Sequence, residues 1–220
     1  LDDLVVYRMA ADEFFIVVNA GTRAGDAEQF RKNLPADCSF SDESDDTAKF
    51  DLQGPLAVDV IEKLGFKRES LPGYFKFTKG TIGGVDCLLS RTGYTGELGF
   101  EIYVPATKAV EIWNLLLAQE NVKPAGLGAR DTLRLEMGYA LYGHELNTET
   151  TPVEAGYGEM LKLGSGRKFI GSEALESTSP KKTLVAIELD GRRAAREGSI
   201  VKIDGKEAGK VSSGTFGPSV

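Results

Sequence analysis

Four stretches of this sequence gather residue types that could do chemistry. The first is Leu1-Asp2-Asp3-Leu4-Val5-Val6-Tyr7. Two adjacent acids open an apolar run, and in a strand neighbouring side chains point to opposite faces. One of the two then faces inward, where a carboxylate could serve a reaction; the bland alternative is a solvated strand end. The second is Arg91-Thr92-Gly93-Tyr94-Thr95-Gly96-Glu97-Leu98-Gly99-Phe100-Glu101. Its glycines permit tight backbone turns around an aromatic ring and two acids. It fits a Gly-rich loop between strands as well as a ligand-cradling turn. Walker spacing and its Lys-Ser/Thr pair are absent, so a phosphate cradle is a poor fit. The third is Gly126-Leu127-Gly128-Ala129-Arg130-Asp131-Thr132-Leu133-Arg134-Leu135-Glu136. Arg130 and Arg134 stand four apart, a mildly repulsive pair on a helix. They invite an anion, whether Asp131, Glu136 or a ligand carboxylate. The fourth runs from Leu141-Tyr142-Gly143-His144-Glu145-Leu146 to Thr150-Thr151-Pro152-Val153-Glu154-Ala155-Gly156, a long irregular connection with polar content.

Several chemistries are disfavoured by what is scarce. The sequence holds one histidine, His144, and two cysteines, Cys38 and Cys87. A Cys/His zinc centre needs several such ligands, so no metal is expected. A Ser-His-Asp triad would have to use His144, and no Gly-x-Ser-x-Gly accompanies it. His144 reads as a polar loop histidine, and the cysteines as reduced thiols.

Positioning these stretches requires a well-packed framework. The chain has 220 residues, 41% hydrophobic and 27% charged, enough for a real core without metal or disulfide staples. No run approaches the ~18 apolar residues of a membrane span. The start carries neither a secretory signal nor an Arg-rich transit segment. The formal net charge is -7, the reverse of the balance usual in nucleic-acid binders, so neither membrane nor nucleic acid is expected as a partner.

Residues 1–9 and 13–19 read as two strands of a hairpin turning at Ala10-Ala11-Asp12. Residues 21–34 read as a helix stopped by Pro35, 47–52 as a strand, and 56–64 as a helix opened by Gly54-Pro55. Strands follow at 74–78, 85–90 and 99–104, the first two joined around Gly83-Gly84. A helix over 106–119 sends Val110, Trp113, Leu116 and Leu117 toward a core, and another spans 129–137. Strands and helices alternate without βαβ regularity, which favours α+β with antiparallel sheets. Beyond a Ser-, Gly- and Lys-rich linker the chain turns all-β, with strands at 183–189, 199–203 and 208–213 and a strong hairpin signal at Asp204-Gly205. Three short strands are a thin basis for a sheet, so the chain reads as a piece cut at both ends.

Taken together the motifs are specific. Leu52-Gln53-Gly54-Pro55, Ser90 to Glu97, Gly126 to Glu136, Thr150 to Gly156, Phe169-Ile170-Gly171 and Ser213-Gly214-Thr215-Phe216 occur in order along the whole chain. This sequence resembles the aminomethyltransferase (T-protein) family of the glycine cleavage system. The resemblance implies a cloverleaf of folate-binding α+β domains, interleaved, followed by a Greek-key β-barrel. On that plan residues 1–64 and 65–164 belong to folate-binding α+β regions, 165–182 is a linker, and 183–220 starts the C-terminal barrel.

It further implies a transferase of glycine catabolism and one-carbon metabolism. Such enzymes take the aminomethyl group from the dihydrolipoyl arm of lipoylated H-protein, release ammonia and pass the one-carbon unit to tetrahydrofolate. The family's catalytic aspartate matches Asp3. Asn19, Tyr94, Glu101 and Arg130 fall on its folate-binding positions, and a folate glutamyl carboxylate would relieve the Arg130–Arg134 repulsion. The implied compartment is the cytoplasm in a bacterium or the mitochondrial matrix in a eukaryote. The same superfamily holds folate-dependent demethylases and non-catalytic folate-binding modules, which are the alternative functions.

Overall fold

A computed structural model describes residues 3–191 and 193–219. Leu1 and Asp2, with which the acidic strand opening begins, lie outside the described residues, as do Arg192 and Val220. In chain order the elements are β1 (Val5–Arg8), β2 (Phe14–Val17), α1 (Arg23–Lys32), β3 (Thr47–Gln53), α2 (Ala57–Lys63), β4 (Phe77–Ile82), β5 (Val85–Ser90), β6 (Gly99–Pro105), α3 (Ala109–Leu117), α4 (Leu127–Glu136), α5 (Gly158–Leu161), α6 (Ser172–Ser177), β7 (Ile200–Ile203) and β8 (Lys206–Lys210). The fold is mixed α/β with antiparallel sheets. Among the described residues no helix is long and apolar enough to cross a membrane.

Contacts group the chain into two compact units, one of Leu1–Asp26 with Arg134–Val220, the other of Ala27–Leu133. The second unit holds a four-stranded sheet in the order β3-β6-β5-β4. The sheet joins residues on both sides of the division expected at residue 64. Its strands obey a strict alternation. Leu52, Leu89, Phe100, Ile102 and Val104 lie on one face, buried with Ala57, Val60 and Ile61 of α2 and Ile112 and Leu116 of α3. Lys49, Asp51 and Gln53 of β3 alternate with that apolar set, and the register sets Lys49 opposite Tyr103, Asp51 opposite Glu101 and Gln53 opposite Gly99. The same ladder brings Ser90 of β5 beside Glu101. One face of the sheet is therefore core and the other is polar.

Turn chemistry explains the connections. Gly83 and Gly84 both take positive φ (59° and 82°), the two-residue turn that matches the twist of β4 and β5. Pro55 lies two residues before α2, and Gly54 accepts the φ of 130° needed to leave the strand.

Two sequence expectations change here. The strand expected at 74–78 begins only at Phe77. Lys76 N–H donates to Gly73 O and Phe75 N–H to Arg91 O, closing a turn that takes Tyr74 and Phe75 out of the ladder. Phe75 sits at φ 54°, and both rings are exposed, edge-on at 4.7 Å. On α3 the buried stripe is Ile112 and Leu116, whereas Val110 is 73% exposed and Trp113 lies at the rim, tilted against Phe50 at 6.2 Å. The four-residue spacing of Ile112 and Leu116 sets the inward face, which leaves Val110 on the far side of the helix and Trp113 at the edge of that face.

In the other unit β1 and β2 form the expected hairpin, with Met9 and Ala10 N–H groups both donating to Glu13 O. A small cluster of Ala140, Leu146 and Ala155 is buried there with Tyr142 and Tyr157 packed against it. The hairpin β7–β8 turns at Asp204-Gly205, at φ 52° and 78°. The strand expected at 183–189 is not formed: among the described residues the only ladder after residue 182 is β7–β8. Leu184 N–H donates to Glu154 O, while Val185, Ile187 and Leu189 are exposed, without the cross-strand partner that makes a strand. Among the described residues this region holds one two-stranded sheet, and the expected Greek-key barrel is not confirmed.

Candidate functional site

The polar sheet face in the 27–133 unit collects Tyr94, Glu101 and Arg130. Glu101 is 6% exposed, in a strand buried along nearly its whole length. Its Oε1 accepts from Lys49 Nζ at 2.6 Å. Its Oε2 accepts from the hydroxyls of Thr92, at 2.5 Å, and Tyr103, at 3.1 Å. Burial alone would raise the Glu101 carboxyl. The Lys49 ammonium and the two hydroxyls outweigh it and hold the group below its ordinary value. Lys49 also lies 3.2 Å from Asp51, so one ammonium bridges two carboxylates that face each other across β3 and β6. Burial would lower the Lys49 ammonium, but its two acids raise it instead.

Arg130, near the start of α4, donates from Nη1 to Asp51 Oδ2 at 2.9 Å. Its guanidinium lies over the Tyr94 ring, 4.8 Å from the centroid, a cation–π geometry. A continuous chain of contacts thus runs Tyr94–Arg130–Asp51–Lys49–Glu101. Lys49 and Asp51 carry no special motif, and composition does not single them out. The alternation in residues 47–53 is the signal that could have found them, once β3 is known to pair with β6.

The loop that presents Tyr94 is held from below by Gln53. Its Nε2 donates to Thr92 O at 3.1 Å and to Phe100 O at 3.3 Å. The amide lies against the α-carbons of Gly93 and Gly99, so that a Cβ on either would fall within it, and one on Gly99 would also come within 2.8 Å of Gln53 Cα. Those two glycines are required for close approach, not for phosphate. Gly93→Ala should lower stability by about 1–3 kcal/mol, the usual cost of overpacking. Thermal unfolding would measure it, and pairing Gly93→Ala with Gln53→Ala should recover part of the loss.

In the unit containing residues 1–26, Asp3 and Asn19 come together. They lie two residues beyond the Val5–Val17 pair, continuing the same register. Asn19 Nδ2 donates to Asp3 Oδ1 at 3.0 Å and to Asp3 O at 3.2 Å. Burial raises the Tyr157 phenol, and the Asp3 charge adds to it. The acidic strand end is exposed at Asp3.

The remaining motif residues serve the scaffold. Arg134 is 1% exposed and donates to Glu145 Oε2 at 2.9 Å, Tyr139 O at 3.0 Å and Ser213 Oγ at 2.9 Å. The acids that receive Arg130 and Arg134 are therefore Asp51 and Glu145, neither of which was among the anions expected from sequence. Glu145 would be raised by burial, but bonds from Ser212, Ser213 and the Leu141 N–H, with Arg134, bring it below its ordinary value. Glu154 accepts from the backbone of Thr151 and Lys181 and is held down to about 2. His144 Nδ1 lies 3.3 Å from Ser212 O and 3.5 Å from Glu197, a loop contact. Cys38 is exposed and Cys87 buried, both free, and burial with the nearby Asp86 pushes Cys87 up to about 11. Among the described residues no group of three or more His, Cys, Asp or Glu side chains could hold a metal ion.

The chain is thus of mixed α/β class, with a buried, ionised carboxylate and a stacked arginine on one polar sheet face. Residues 1–165 match the GCVT N-terminal domain, and the chain belongs to that family. It is 40% identical over 224 residues to an Aminomethyltransferase of Exiguobacterium sibiricum, covering 100% of this chain and 61% of that protein. It is 41% identical over 227 residues to an Aminomethyltransferase of Desulfitobacterium hafniense, covering 100% and 62%. The crystal structure of glycine cleavage system aminomethyltransferase T from Bartonella henselae superposes with a TM-score of 0.89 at 33% identity, covering 100% of this chain and 61% of that one. The chain thus spans about three-fifths of the length of these relatives.

Proposed function

We propose that the protein carrying this chain is an aminomethyltransferase of the glycine cleavage system. It takes the aminomethyl group from the dihydrolipoyl arm of lipoylated H-protein, releases ammonia, and delivers the one-carbon unit to tetrahydrofolate as 5,10-methylenetetrahydrofolate. The compartment this reading implies is the cytoplasm of a bacterium or the mitochondrial matrix of a eukaryote.

The observation that carries the reading is the Glu101 carboxylate, buried yet kept ionised on the polar sheet face of a chain in this family. A pterin presents N–H donors side by side along one edge, and an ionised carboxylate accepts such a pair with charge-assisted bonds. Tyr94 offers an aromatic face to the ring system. Arg130 is already paired with Asp51, but a guanidinium has five donors, so a glutamyl carboxylate would share it as a second anion. Asp3, oriented by Asn19, supplies a negative charge for the nitrogens that carry the one-carbon unit and stabilises positive charge as it develops. Tetrahydrofolate is the acceptor substrate, and no step calls for a metal.

Glu101→Gln tests the binding half. It keeps the shape and removes the charge, which is worth roughly 1.5–3 kcal/mol in a charge-assisted pair, or about 10- to 150-fold in affinity. Titration calorimetry with tetrahydrofolate on the whole protein would measure it. Wild-type affinity in Glu101→Gln would return that carboxylate to a purely structural role.

A further inference from the structure

Asp51 and Glu101 stand directly opposite each other on adjacent antiparallel strands. Like charges in that position repel. Lys49, two residues earlier on β3 and on the same face, relieves the conflict by touching both, at 3.2 Å and 2.6 Å. The charges that ion-pair and register contacts set beside Glu101 include Lys49 and Asp51 on β3, with Arg130 of α4 reached through Asp51. Further polar neighbours are Tyr103 on its own strand, Thr92 in the loop between β5 and β6, and Ser90 on β5.

The contacts also create a competition. A pterin edge bonding in parallel to Glu101 needs both carboxylate oxygens. Oε2 is held by two hydroxyls, which can rotate and still accept or donate elsewhere. Oε1 is held by the Lys49 ammonium. That side chain is 32% exposed and has a second acid already within reach, so it can leave Glu101 without becoming an unpaired buried charge.

We propose that Lys49 is a positioning residue for Glu101: a cation shared between two facing carboxylates that yields Oε1 to an incoming N–H edge and stays on Asp51. The proposal rests on the folate reading for the identity of the N–H edge. The shared lysine accounts for how a nearly buried carboxylate avoids both protonation and permanent occupation. Asp51 then has a double part, as the lysine's second seat and as the anchor that holds Arg130 over Tyr94.

The test uses the whole protein with Lys49→Met and Lys49→Arg. Tetrahydrofolate affinity is measured by calorimetry from about pH 5.5 to about pH 8, the span in which a buried carboxyl deprived of its cation titrates. Wild type and Lys49→Arg should bind with a level profile. Lys49→Met should bind within about threefold of wild type at the alkaline end and lose ~10-fold or more toward the acid end, since each pH unit below a raised pKa costs a factor of about ten. The sign follows from Glu101: without Lys49, burial and the facing Asp51 raise its carboxyl, and the N–H edge binds only the ionised form.

Carboxyl-carbon NMR of Glu101 without ligand gives a second readout, in which Lys49→Met should move its titration upward. A loss equal at every pH is the signature of a merely structural lysine and overturns the proposal. So does a Glu101 carboxyl that titrates alike in wild type and Lys49→Met. If Glu101 shifts as expected while wild type binds no tetrahydrofolate, the folate reading fails and the Lys49–Glu101 coupling is upheld.

Discussion

Asp3→Asn is expected to cut aminomethyl transfer by ~10²–10⁴-fold while leaving tetrahydrofolate binding within a few-fold of wild type, a range typical of a positioned acid–base or charge-stabilising group. The geometry makes the substitution clean. Asn19 Nδ2 donates to Asp3 Oδ1 and to the Asp3 carbonyl, and an amide oxygen accepts the first of those bonds as a carboxylate does. Shape and orientation are kept, so what is lost is the negative charge that developing positive charge would feel. Turnover with lipoylated H-protein and tetrahydrofolate, set beside calorimetry on the same variant, separates the two effects. Unchanged turnover would end the catalytic assignment of Asp3, and Asp2 would be the next residue to replace.

Arg134→Met should produce the largest loss of stability. The guanidinium is 1% exposed and Glu145 8%, so removing the cation leaves a carboxylate in a site that has excluded water. Breaking one side of a buried pair costs about 3–5 kcal/mol, or roughly 6–20 °C in melting temperature for a chain of this length. The Arg134→Met, Glu145→Leu double variant should recover most of that loss, because an apolar replacement of both partners leaves no stranded charge. Thermal unfolding of the two variants beside wild type measures both effects. Equal melting temperatures for Arg134→Met and wild type would mean that Glu145 finds water or protonates at little cost.

Both residues show what the sequence reveals and what it conceals. Arg134 is conspicuous in sequence as half of a repulsive pair with Arg130. Its partner Glu145 lies eleven residues on, beyond the end of α4, where no helical spacing could pair them. The β1–β2 hairpin, the β4–β5 turn and the Asp204-Gly205 turn were all legible, because turn residues act locally and name their own geometry. Residues 183–189 misled for the opposite reason: a β-branched run reports propensity, and a strand exists only where another strand lies alongside. Tyr74 and Phe75 misled in the same way, since aromatic residues favour strands and yet here sit in a turn. On the polar sheet face, the candidates Tyr94, Glu101 and Arg130 stood out through their motifs. Lys49 and Asp51 did not, and Gln53 stood in a motif without a role, because all three act through a register between strands 46 or more residues apart in the chain, which no local pattern encodes.

That register has an evolutionary corollary. On β3 the even positions Ala48, Phe50 and Leu52 belong to the core, and the odd positions Lys49, Asp51 and Gln53 belong to the polar face. Loss of a single codon inside this strand would exchange the two sets, turning an ammonium and a carboxylate toward α2 and α3 and a phenyl ring toward Glu101. Point changes at the odd positions can be explored one at a time, since each leaves the even set in place. Length changes within β3 cannot, for they would dismantle the core and the polar face in one step. Variation in length in this part of the chain should therefore collect in the turn at residues 44–46, before the strand begins.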